Sequence, residues 1–527
     1  RRIECGVYLP FWVVRTWFQL LGKQPQAAPA TLVALASLGG QYGFSGPVPS
    51  PEGGALSGLL KSVFVEDARH DHARFRVKVI DLPADEPPAQ VAASVCRELE
   101  SNRPEVEVAW SRGNRRIVSA VREPIESRPL AELPPGGTWL VTGGARGITA
   151  ATALELGRRF GLKLHLLGKS PAPDPNAPWR NCSEEQLKAI KANIVRAATQ
   201  EGRSPEGDWD RVKKDREIKS SLDKFTAAGV RATYHACDVA DWDDLERVLG
   251  EIRRQDGPIE GIIHGAGYAK SFRFGTGTAA KIQATIAPKV DGTLALMHLT
   301  HSDPLRYFVG FGSLSGRFGG NGLSDYAAAN DMLAKLCGWF RSRRPECHTT
   351  CFHWQTWDQV GMAMLADGVG ITKNAFKMDF IPPEEGVAHL IDELLAGAPQ
   401  PEVLVTDGFF QRQFYPYDFE KPAAAAPVKA ATRAPLVAAW QAADGGAGVA
   451  QIVFDPVGDP FLSQHRLKQK PFLPGVIGME SLAEAAAAAR DGHSIAELRN
   501  VRIENGMAFH SDNPLTARVE VTPGDGG

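Results

Sequence analysis

The segment GSLSGRFGGNGLSDYAAAN, residues 312–330, contains side chains suited to the reduction of a carbonyl group. A phenol such as that of Tyr326 can donate a proton to an oxygen on which negative charge develops. A serine hydroxyl such as that of Ser313 can hydrogen-bond the same oxygen and stabilise its charge. Tyr326 and Asn330 are four residues apart on a helical pattern, so they share one helix face. The segment is therefore a candidate catalytic site.

A reducing site of this kind also needs a cation, because a nearby ammonium lowers the tyrosine pKa from its free value of about 10. The position one helical turn after the tyrosine, which usually holds that lysine, is Asn330. Lys289 lies on an earlier helical pattern, ATIAPKVDGTLALMHL, which precedes the strand pattern RYFVGF that leads to Ser313. The residues therefore leave two alternatives: a site that lacks its cation, or a lysine supplied by the earlier helix.

The segment TWLVTGGARGITAATALELGRRF predicts a strand, a glycine-rich turn and a helix. Glycines let such a turn bend sharply and approach a pyrophosphate, whose charge is stabilised by the free N–H groups at the helix N-terminus. Thr149 stands where the last glycine of the pattern is expected, which predicts a slightly larger separation of helix and strand. The predicted contacts to a dinucleotide are Gly143, Gly144, Arg146, Gly147 and Ile148.

The next strand pattern, LKLHLLGKS, distinguishes between the two nicotinamide cofactors. An acidic residue at its end would bind the ribose 2′-hydroxyl of NAD(H), but the sequence has Lys169 and Ser170 there. Lys169 and Arg146 can together bind a 2′-phosphate, which favours NADP(H). Two later strand ends complete the predicted cofactor site: CDVAD supplies Asp238 and Val239, and GIIHGAG supplies Gly265, Ala266 and Gly267.

These patterns resemble the ketoreductase domains of iterative type I polyketide synthases and polyunsaturated fatty acid synthases, within the short-chain dehydrogenase/reductase (SDR) superfamily. The resemblance is carried by KVDGTLAL, FGSLSG, YAAAN, HGAG and WQTWDQVGM, and TGGARGIT is most similar to the polyunsaturated fatty acid, glycolipid and enediyne synthase branch. In those domains the lysine and asparagine exchange places. The resemblance therefore implies a catalytic group of Lys289, Ser313, Tyr326 and Asn330, with NADPH as cofactor. It also implies a β-ketoacyl substrate on the phosphopantetheine of an acyl carrier protein, and neighbouring synthase domains as partners.

The tail segment DPFLSQHRLKQKPFLPGVIGMESL resembles the first half of a double-hotdog dehydratase. The resemblance implies that His465 is the base that removes the α-proton of a β-hydroxyacyl thioester. A histidine pKa near 6.5 suits that step. Two differences from the family stand out: Gln469 occupies a glycine position, and the chain ends before the half that supplies an acidic partner. We therefore expect this dehydratase part to be incomplete.

The predicted fold class is α/β, with a truncated Rossmann-like structural subdomain, a Rossmann (SDR) catalytic subdomain and a partial hotdog (α+β) domain. Residues 1–124 contain the strand patterns TLVALASL and FRVKVIDL, the helical GGALSGLLKSVF, and a hairpin from VEVAWSRG and RRIVSAV. Their glycines lack phosphate-loop spacing, so no cofactor is expected there. The other predicted parts are the NADPH-binding subdomain, 137–412, with a solvated insertion at 171–229; an Ala/Pro-rich linker, 413–448; and the dehydratase part, 449–527.

Composition excludes several other functions. A net charge of −2 gives no electrostatic footprint for nucleic acid, and no apolar run approaches the length of about 20 residues that spans a bilayer. Seven scattered cysteines predict no metal site and indicate a reducing, cytoplasmic compartment.

The chain begins with arginine and ends in a strand-like pattern, so we expect it to be an excerpt of a longer polypeptide.

Two other functions stay open at this point. One is an SDR reductase of free small-molecule ketones, which the large N-terminal half without a cofactor motif disfavours. The other is a non-catalytic scaffold domain of a synthase, which the intact set of Lys289, Ser313 and Tyr326 disfavours.

Overall fold

The chain divides into two compact units, Arg1–Phe419 and Glu420–Gly527, and each is described by itself. The computed structural model describes residues 1–21, 30–67, 75–101, 103–121, 133–268, 270–361, 380–397, 400–406, 436–443, 447–463, 465–467, 470–490, 495, 497–502, 507–509 and 513–522.

The first unit begins with a small sheet whose strands stand in the order β1-β2-β3-β4. The first three strands are parallel, and β3 and β4 form an antiparallel hairpin. The predicted strands, helix and hairpin are confirmed, although the second hairpin strand is shorter than the sequence suggested. Helices α1 and α3 were not predicted. The elements are α1 (Leu9–Leu21), β1 (Ala30–Ala36), α2 (Gly53–Asp67), β2 (Phe75–Asp81), α3 (Pro88–Glu100), β3 (Glu107–Ser111) and β4 (Asn114–Arg116).

A larger parallel sheet follows, with strands in the order β11-β10-β9-β8-β5-β6-β7. The strand order reverses between the neighbours β5 and β8, and in open parallel sheets the crevice at such a point, at the carboxyl ends of the strands, binds ligands. Its strands are β5 (Thr138–Thr142), β6 (Lys163–Gly168), β7 (Ala232–Ala236), β8 (Gly261–His264), β9 (Tyr307–Ser313), β10 (His348–Trp354) and β11 (Glu402–Val405). Its helices are α4 (Gly147–Phe160), α5 (Glu184–Gln200), α6 (Glu206–Ala227), α7 (Trp242–Asp256), α8 (Ala279–Leu299), α9 (Leu314–Phe318), α10 (Ser324–Arg343) and α11 (Pro383–Ala396).

The insertion between β6 and β7 consists of the two predicted helices, α5 and α6. Helix α5 begins with a capping box, in which Ser183 and Gln186 satisfy each other's backbone N–H groups. Helix α6 is not wholly solvated, because its Ile218 and Phe225 side chains are buried in the same hydrophobic core as the sheet. The expectation of a solvated insertion therefore holds only for the outer faces of these helices.

Two glycines bring the N-terminal half against helix α10. A Cβ atom on Gly58 of α2 would lie 2.3 Å from the carbonyl oxygen of Ala327, and one on Gly54 would lie 2.6 Å from the Lys335 Cγ. The two helices therefore touch backbone against backbone, which only glycine permits. Because Ala327 directly follows Tyr326, the N-terminal half fixes the position of α10 beside the predicted proton donor.

The second unit contains an antiparallel sheet in the order β12-β13-β16 beside an alanine-rich helix, in agreement with a partial hotdog fold. Ile452, Phe454, Leu462 and Phe509 form its buried core. Strand β12 lies within the residues that were predicted as linker, and most of that linker is outside the described residues. The elements are β12 (Val437–Ala442), β13 (Gly448–Phe454), α12 (Pro460–Ser463), β14 (Arg466–Leu467), β15 (Lys470–Pro471), α13 (Gly475–Ala488) and β16 (Leu515–Val521).

Neither a membrane span nor a metal cluster is found in the described part of the chain. None of the helices there is long and apolar enough to cross a bilayer. No group of three histidine, cysteine, aspartate or glutamate side chains there could hold a metal ion. All seven cysteines are free thiols.

Candidate active site

The glycine-rich turn joins the end of β5 to the start of α4. Gly143 and Gly147 have φ angles of 70° and 58°, a region that residues with a Cβ atom rarely adopt. A Cβ atom on Gly143 would also lie 2.9 Å from the Gly265 carbonyl oxygen at the end of β8. The Arg146 side chain makes no capping hydrogen bond to α4 in the described structure. The turn therefore offers an open helix N-terminus of the kind that binds phosphate groups.

The threonine in place of the last glycine is accommodated by a glycine on the neighbouring strand end. A Cβ atom on Gly265 would lie 2.3 Å from the Thr149 hydroxyl oxygen, so the two positions share the available space. Sequence reasoning missed Thr142, which joins the same strand ends. Its hydroxyl accepts a hydrogen bond from the Ala266 N–H at 3.2 Å and lies 2.7 Å from the His264 Nδ1. These contacts hold Gly265 and Ala266 against the glycine turn.

Both cations predicted to bind a 2′-phosphate are paired with carboxylates. The Lys169 ammonium lies 2.6 Å from the Asp238 carboxylate, and the Arg146 guanidinium lies 3.6 Å from Glu217. Glu217 belongs to α6, so the insertion reaches back to the cofactor turn. The Lys169 side chain is 82% exposed, which leaves it free to exchange partners. Sequence reasoning missed Glu217 because the partner of a surface cation has no local signature.

The loops after β6 and β7 hold the other predicted cofactor residues. The Tyr234 hydroxyl donates to the Ser170 carbonyl at 2.6 Å, which fixes the backbone after Lys169. Asp238 accepts a hydrogen bond from the Ala240 N–H at 3.2 Å, and Val239 is buried against Gly292 of α8. These residues therefore lie at the carboxyl edge of the sheet.

Tyr326, Ser313 and Asn330 come together where β9 ends and α10 begins. Burial raises the pKa of Tyr326, and the polar side chains of Asn330 and Ser313 beside the phenol oppose that rise. The Asn330 side-chain amide donates to the Tyr326 carbonyl at 2.7 Å. The Ser313 hydroxyl accepts the Ser315 N–H at 3.2 Å. The structure therefore unites the phenol, the hydroxyl and the amide of the predicted catalytic group.

Lys289 of α8 lies at the same edge of the sheet and is only 2% exposed. A Cβ atom on Gly267 would lie 2.9 Å from its Cε. Burial lowers the pKa of Lys289 to about 8, although the Cys351 and Cys337 thiols oppose this. Its ammonium donates to the carbonyl oxygen of Phe311, two residues before Ser313 in β9, and this is its hydrogen-bond partner among the described residues. The predicted contact of this ammonium with the Tyr326 phenol stays a prediction.

Comparison with known families assigns a domain type to the residues around this site. The family described as "KR domain" matches residues 137–359, which include the glycine turn and the whole group around Tyr326. These residues are a ketoreductase domain. The family described as "Polyketide synthase dehydratase domain" matches residues 435–527 of the second unit.

Curated relatives of the chain are large synthases. The chain is 24% identical over its whole length to a polyunsaturated fatty acid synthase polypeptide of Thraustochytrium sp., and covers 18% of that protein. It is 26% identical over 68% of its length to polyketide synthase PksL of Bacillus subtilis, and covers 7% of that protein. The chain therefore spans less than a fifth of the length of these relatives.

Solved structures share the fold of most of this chain. A ketoreductase domain from the bacillaene assembly line is 21% identical, with a TM-score of 0.57 over 78% of this chain and 85% of that chain. An A1-type ketoreductase is 23% identical, with a TM-score of 0.58 over 80% of this chain and 77% of that chain. At these identities the likeness shows the fold.

Outside the ketoreductase domain, the predicted dehydratase base lies in the second unit. His465 is exposed, and its Nδ1–H donates to the Phe472 carbonyl at 2.7 Å. That bond leaves Nε2 as the nitrogen with a free lone pair in the neutral ring, which is the form a base requires. Gln469 lies outside the described residues. The role of His465 therefore stays a prediction.

Proposed function

We propose that the ketoreductase domain uses NADPH to reduce a β-ketoacyl thioester, carried on the phosphopantetheine of an acyl carrier protein, to the β-hydroxyacyl form. The observation that carries the proposal is the union of Tyr326, Ser313 and Asn330 at the sheet edge that also holds Lys289 and the glycine turn. The same edge includes the reversal of strand order between β5 and β8, and parallel sheets bind ligands in the crevice at such a point.

Each side chain has a separate task in that reaction. Bound NADPH supplies the hydride to the carbonyl carbon. The Tyr326 phenol donates the proton to the carbonyl oxygen, and the Ser313 hydroxyl hydrogen-bonds that oxygen as its charge grows. The buried Lys289 ammonium adds positive charge at the same edge of the sheet. This charge favours the phenolate form of Tyr326 and so makes its phenol a stronger acid. Asn330 orients the first turn of α10 through its bond to the Tyr326 carbonyl.

The glycine turn, Arg146 and Lys169 support NADPH as the cofactor. Gly143 and Gly147 adopt the positive φ angles that the tight turn requires, and the start of α4 has no side-chain cap, so its N–H groups can bind a pyrophosphate. Lys169 and Arg146 supply positive charge for a 2′-phosphate, which can replace Asp238 and Glu217 as their partner.

Replacing Lys169 with glutamate should weaken NADPH binding relative to NADH by roughly 10–100-fold, because a charge-assisted hydrogen bond contributes about 1.5–3 kcal/mol. Fluorescence titration with each cofactor measures the ratio of NADPH affinity to NADH affinity. The Lys188→Glu variant on the insertion helix α5 makes the same charge change on an exposed surface and should leave the ratio unchanged. An unchanged ratio in Lys169→Glu would contradict the 2′-phosphate assignment.

The carrier-bound substrate is supported by the synthase relatives, whose names describe polyketide and polyunsaturated fatty acid synthases. We further propose that, in a synthase of the length of these relatives, dehydration by the second unit follows the reduction, with His465 as base. The few, scattered cysteines of the sequence support our proposal of a reducing, cytoplasmic location.

One assay separates this proposal from the two alternatives. NADPH consumption should be followed with a β-ketoacyl thioester of a phosphopantetheine analogue and with a simple cyclic ketone. We expect a higher kcat/KM for the thioester. Preference for the cyclic ketone would favour a reductase of free ketones, and absence of turnover with either substrate would favour a scaffold.

A further inference from the structure

A group of charged side chains is buried beneath the Ser313 segment, outside the predicted catalytic group. All of these side chains are at most 6% exposed. It joins the N-terminal half to α9, α10, β10 and β11 within the first unit. This buried ionic cluster consists of Lys61, Glu107, Arg317, Asp331, Lys335, His353 and Glu402.

His353 is the member of the cluster that contacts the active site directly. It lies on β10, the strand next to β9, and its Nδ1 is 3.0 Å from the backbone carbonyl oxygen of Ser313. Its Nε2 is 2.9 Å from a carboxylate oxygen of Glu402. A carbonyl oxygen and a carboxylate oxygen can only accept hydrogen bonds. Both ring nitrogens therefore donate, and His353 is an imidazolium.

The surroundings of His353 agree with that protonated form. Burial lowers the pKa of His353, but the Cys351 thiol and the Glu402 carboxylate outweigh this, so the pKa is raised. Burial raises the pKa of Glu402, but the Lys335 ammonium and the His353 ring outweigh this, so Glu402 is held ionised.

The rest of the cluster holds Glu402 in place. Oε1 of Glu402 accepts a hydrogen bond from Lys335 of α10. The Arg317 guanidinium lies 3.8 Å from Oε2, the oxygen that faces His353. Arg317 also pairs with Glu107 of β3. The orientation of His353 is thus set by Glu402 of β11 and, through Glu402, by side chains from α9, α10 and β3.

We propose that His353 is a positioning residue for the reduction, which fixes the Ser313 carbonyl and thereby aims the Ser313 hydroxyl at the substrate oxygen. Ser313 is the last residue of β9 and the N-cap of the short helix α9, so its carbonyl lies at the junction of a strand and a helix of five residues. The hydrogen bond from His353 adds a restraint on this junction from the neighbouring strand β10. The proposal rests on the proposed reductase function, because it gives the Ser313 hydroxyl a task.

Two matched variants test the restraint. In His353→Asn the side-chain amide nitrogen stands near the position of Nδ1 and can still donate to the Ser313 carbonyl. In His353→Gln the amide nitrogen stands near the position of Nε2, so it reaches Glu402 and not Ser313. Both variants remove the imidazolium charge, and they differ in which hydrogen bond they keep.

We expect His353→Gln to lower kcat by roughly 10²-fold, since a misplacement of about 1 Å can cost that much, while KM and NADPH affinity change little. The kcat of His353→Asn should be much closer to that of the wild type than the kcat of His353→Gln is. Equal losses of kcat in the two variants, or a loss confined to KM, would overturn the proposal. An inactive wild-type protein would instead contradict the reductase function itself.

A measurement on the wild-type protein covers the case in which the variants do not fold. Histidine side-chain ¹⁵N NMR at neutral pH should show one imidazole, assigned to His353, with protons on both nitrogens. A neutral ring at His353 would overturn the proposal even if the protein proved inactive towards thioesters, because a neutral ring cannot donate to both of its partners.

Discussion

Replacing Tyr326 with phenylalanine should lower kcat for thioester reduction by roughly 10²–10⁴-fold, the contribution of a matched general acid. The phenyl ring fills the same space beside Ser313 and Asn330, so NADPH affinity and the unfolding temperature should change little. Steady-state kinetics with a β-ketoacyl thioester measure the rate, and fluorescence titration measures cofactor binding.

Tyr307 provides the matched control. It lies at the start of β9, whereas Ser313 lies at the end of that strand, and its ring stacks on Trp139 at a centroid distance of 5.4 Å. Tyr307→Phe removes the same hydroxyl group away from the site and should leave kcat unchanged. If Tyr326→Phe kept kcat within about threefold of the wild type, the proton would come from another group, and our assignment of the acid would be wrong.

The parts of the fold and site that sequence reasoning predicted are those with local signatures. The strand, glycine turn and helix around Gly143 occupy consecutive residues, so their pattern is legible without knowledge of distant contacts. The Tyr326 and Asn330 pair follows from helical spacing, and the strand pattern before Ser313 follows from its run of apolar residues. These patterns were sufficient to predict the central sheet and the edge at which the site lies.

The parts that sequence reasoning missed depend on contacts between distant segments. Lys61 lies in the helical pattern GGALSGLLKSVF, where a lysine is expected to face solvent, yet its partner Asp331 is in α10. The same holds for Arg146 and Glu217, since the sequence does not indicate that α6 returns to the cofactor turn. Helix α1, an apolar segment interrupted by Arg15, was also missed.

The Lys61→Met variant should destabilise the protein by about 3–5 kcal/mol, because it leaves the buried Asp331 carboxylate without its main partner. The Lys61 side chain is fully buried, and its ammonium lies 2.7 Å from Asp331 and 3.6 Å from Glu107. Burial and the nearby Arg317 lower the pKa of Lys61 to about 7, against the pull of Asp331, so the ammonium is charged below that pH. Urea unfolding should therefore be measured at about pH 6.

The same substitution at Lys219 is the control, because Lys219 pairs with Asp223 one turn along the exposed face of α6. Lys219→Met should change the free energy of unfolding by at most about 0.5 kcal/mol. The double variant Lys61→Met/Asp331→Asn removes both charges of the buried pair. Its loss of unfolding free energy should be smaller than the sum of the losses in the two single variants. If the loss in the double variant equalled that sum, the two charges would not stabilise each other.

The unfolding curve of Lys61→Met also tests how the N-terminal half supports the site. Lys61 and Glu107 belong to that half, whereas Asp331 directly follows Asn330 in α10. The Lys61–Asp331 pair and the glycine contacts of α2 join the two sheets. The first unit should therefore unfold in one transition, which moves as a whole to lower urea concentration in the variant. A variant in which only one of two separate transitions moved would show that the halves fold independently, and the N-terminal half could then not hold α10 in place.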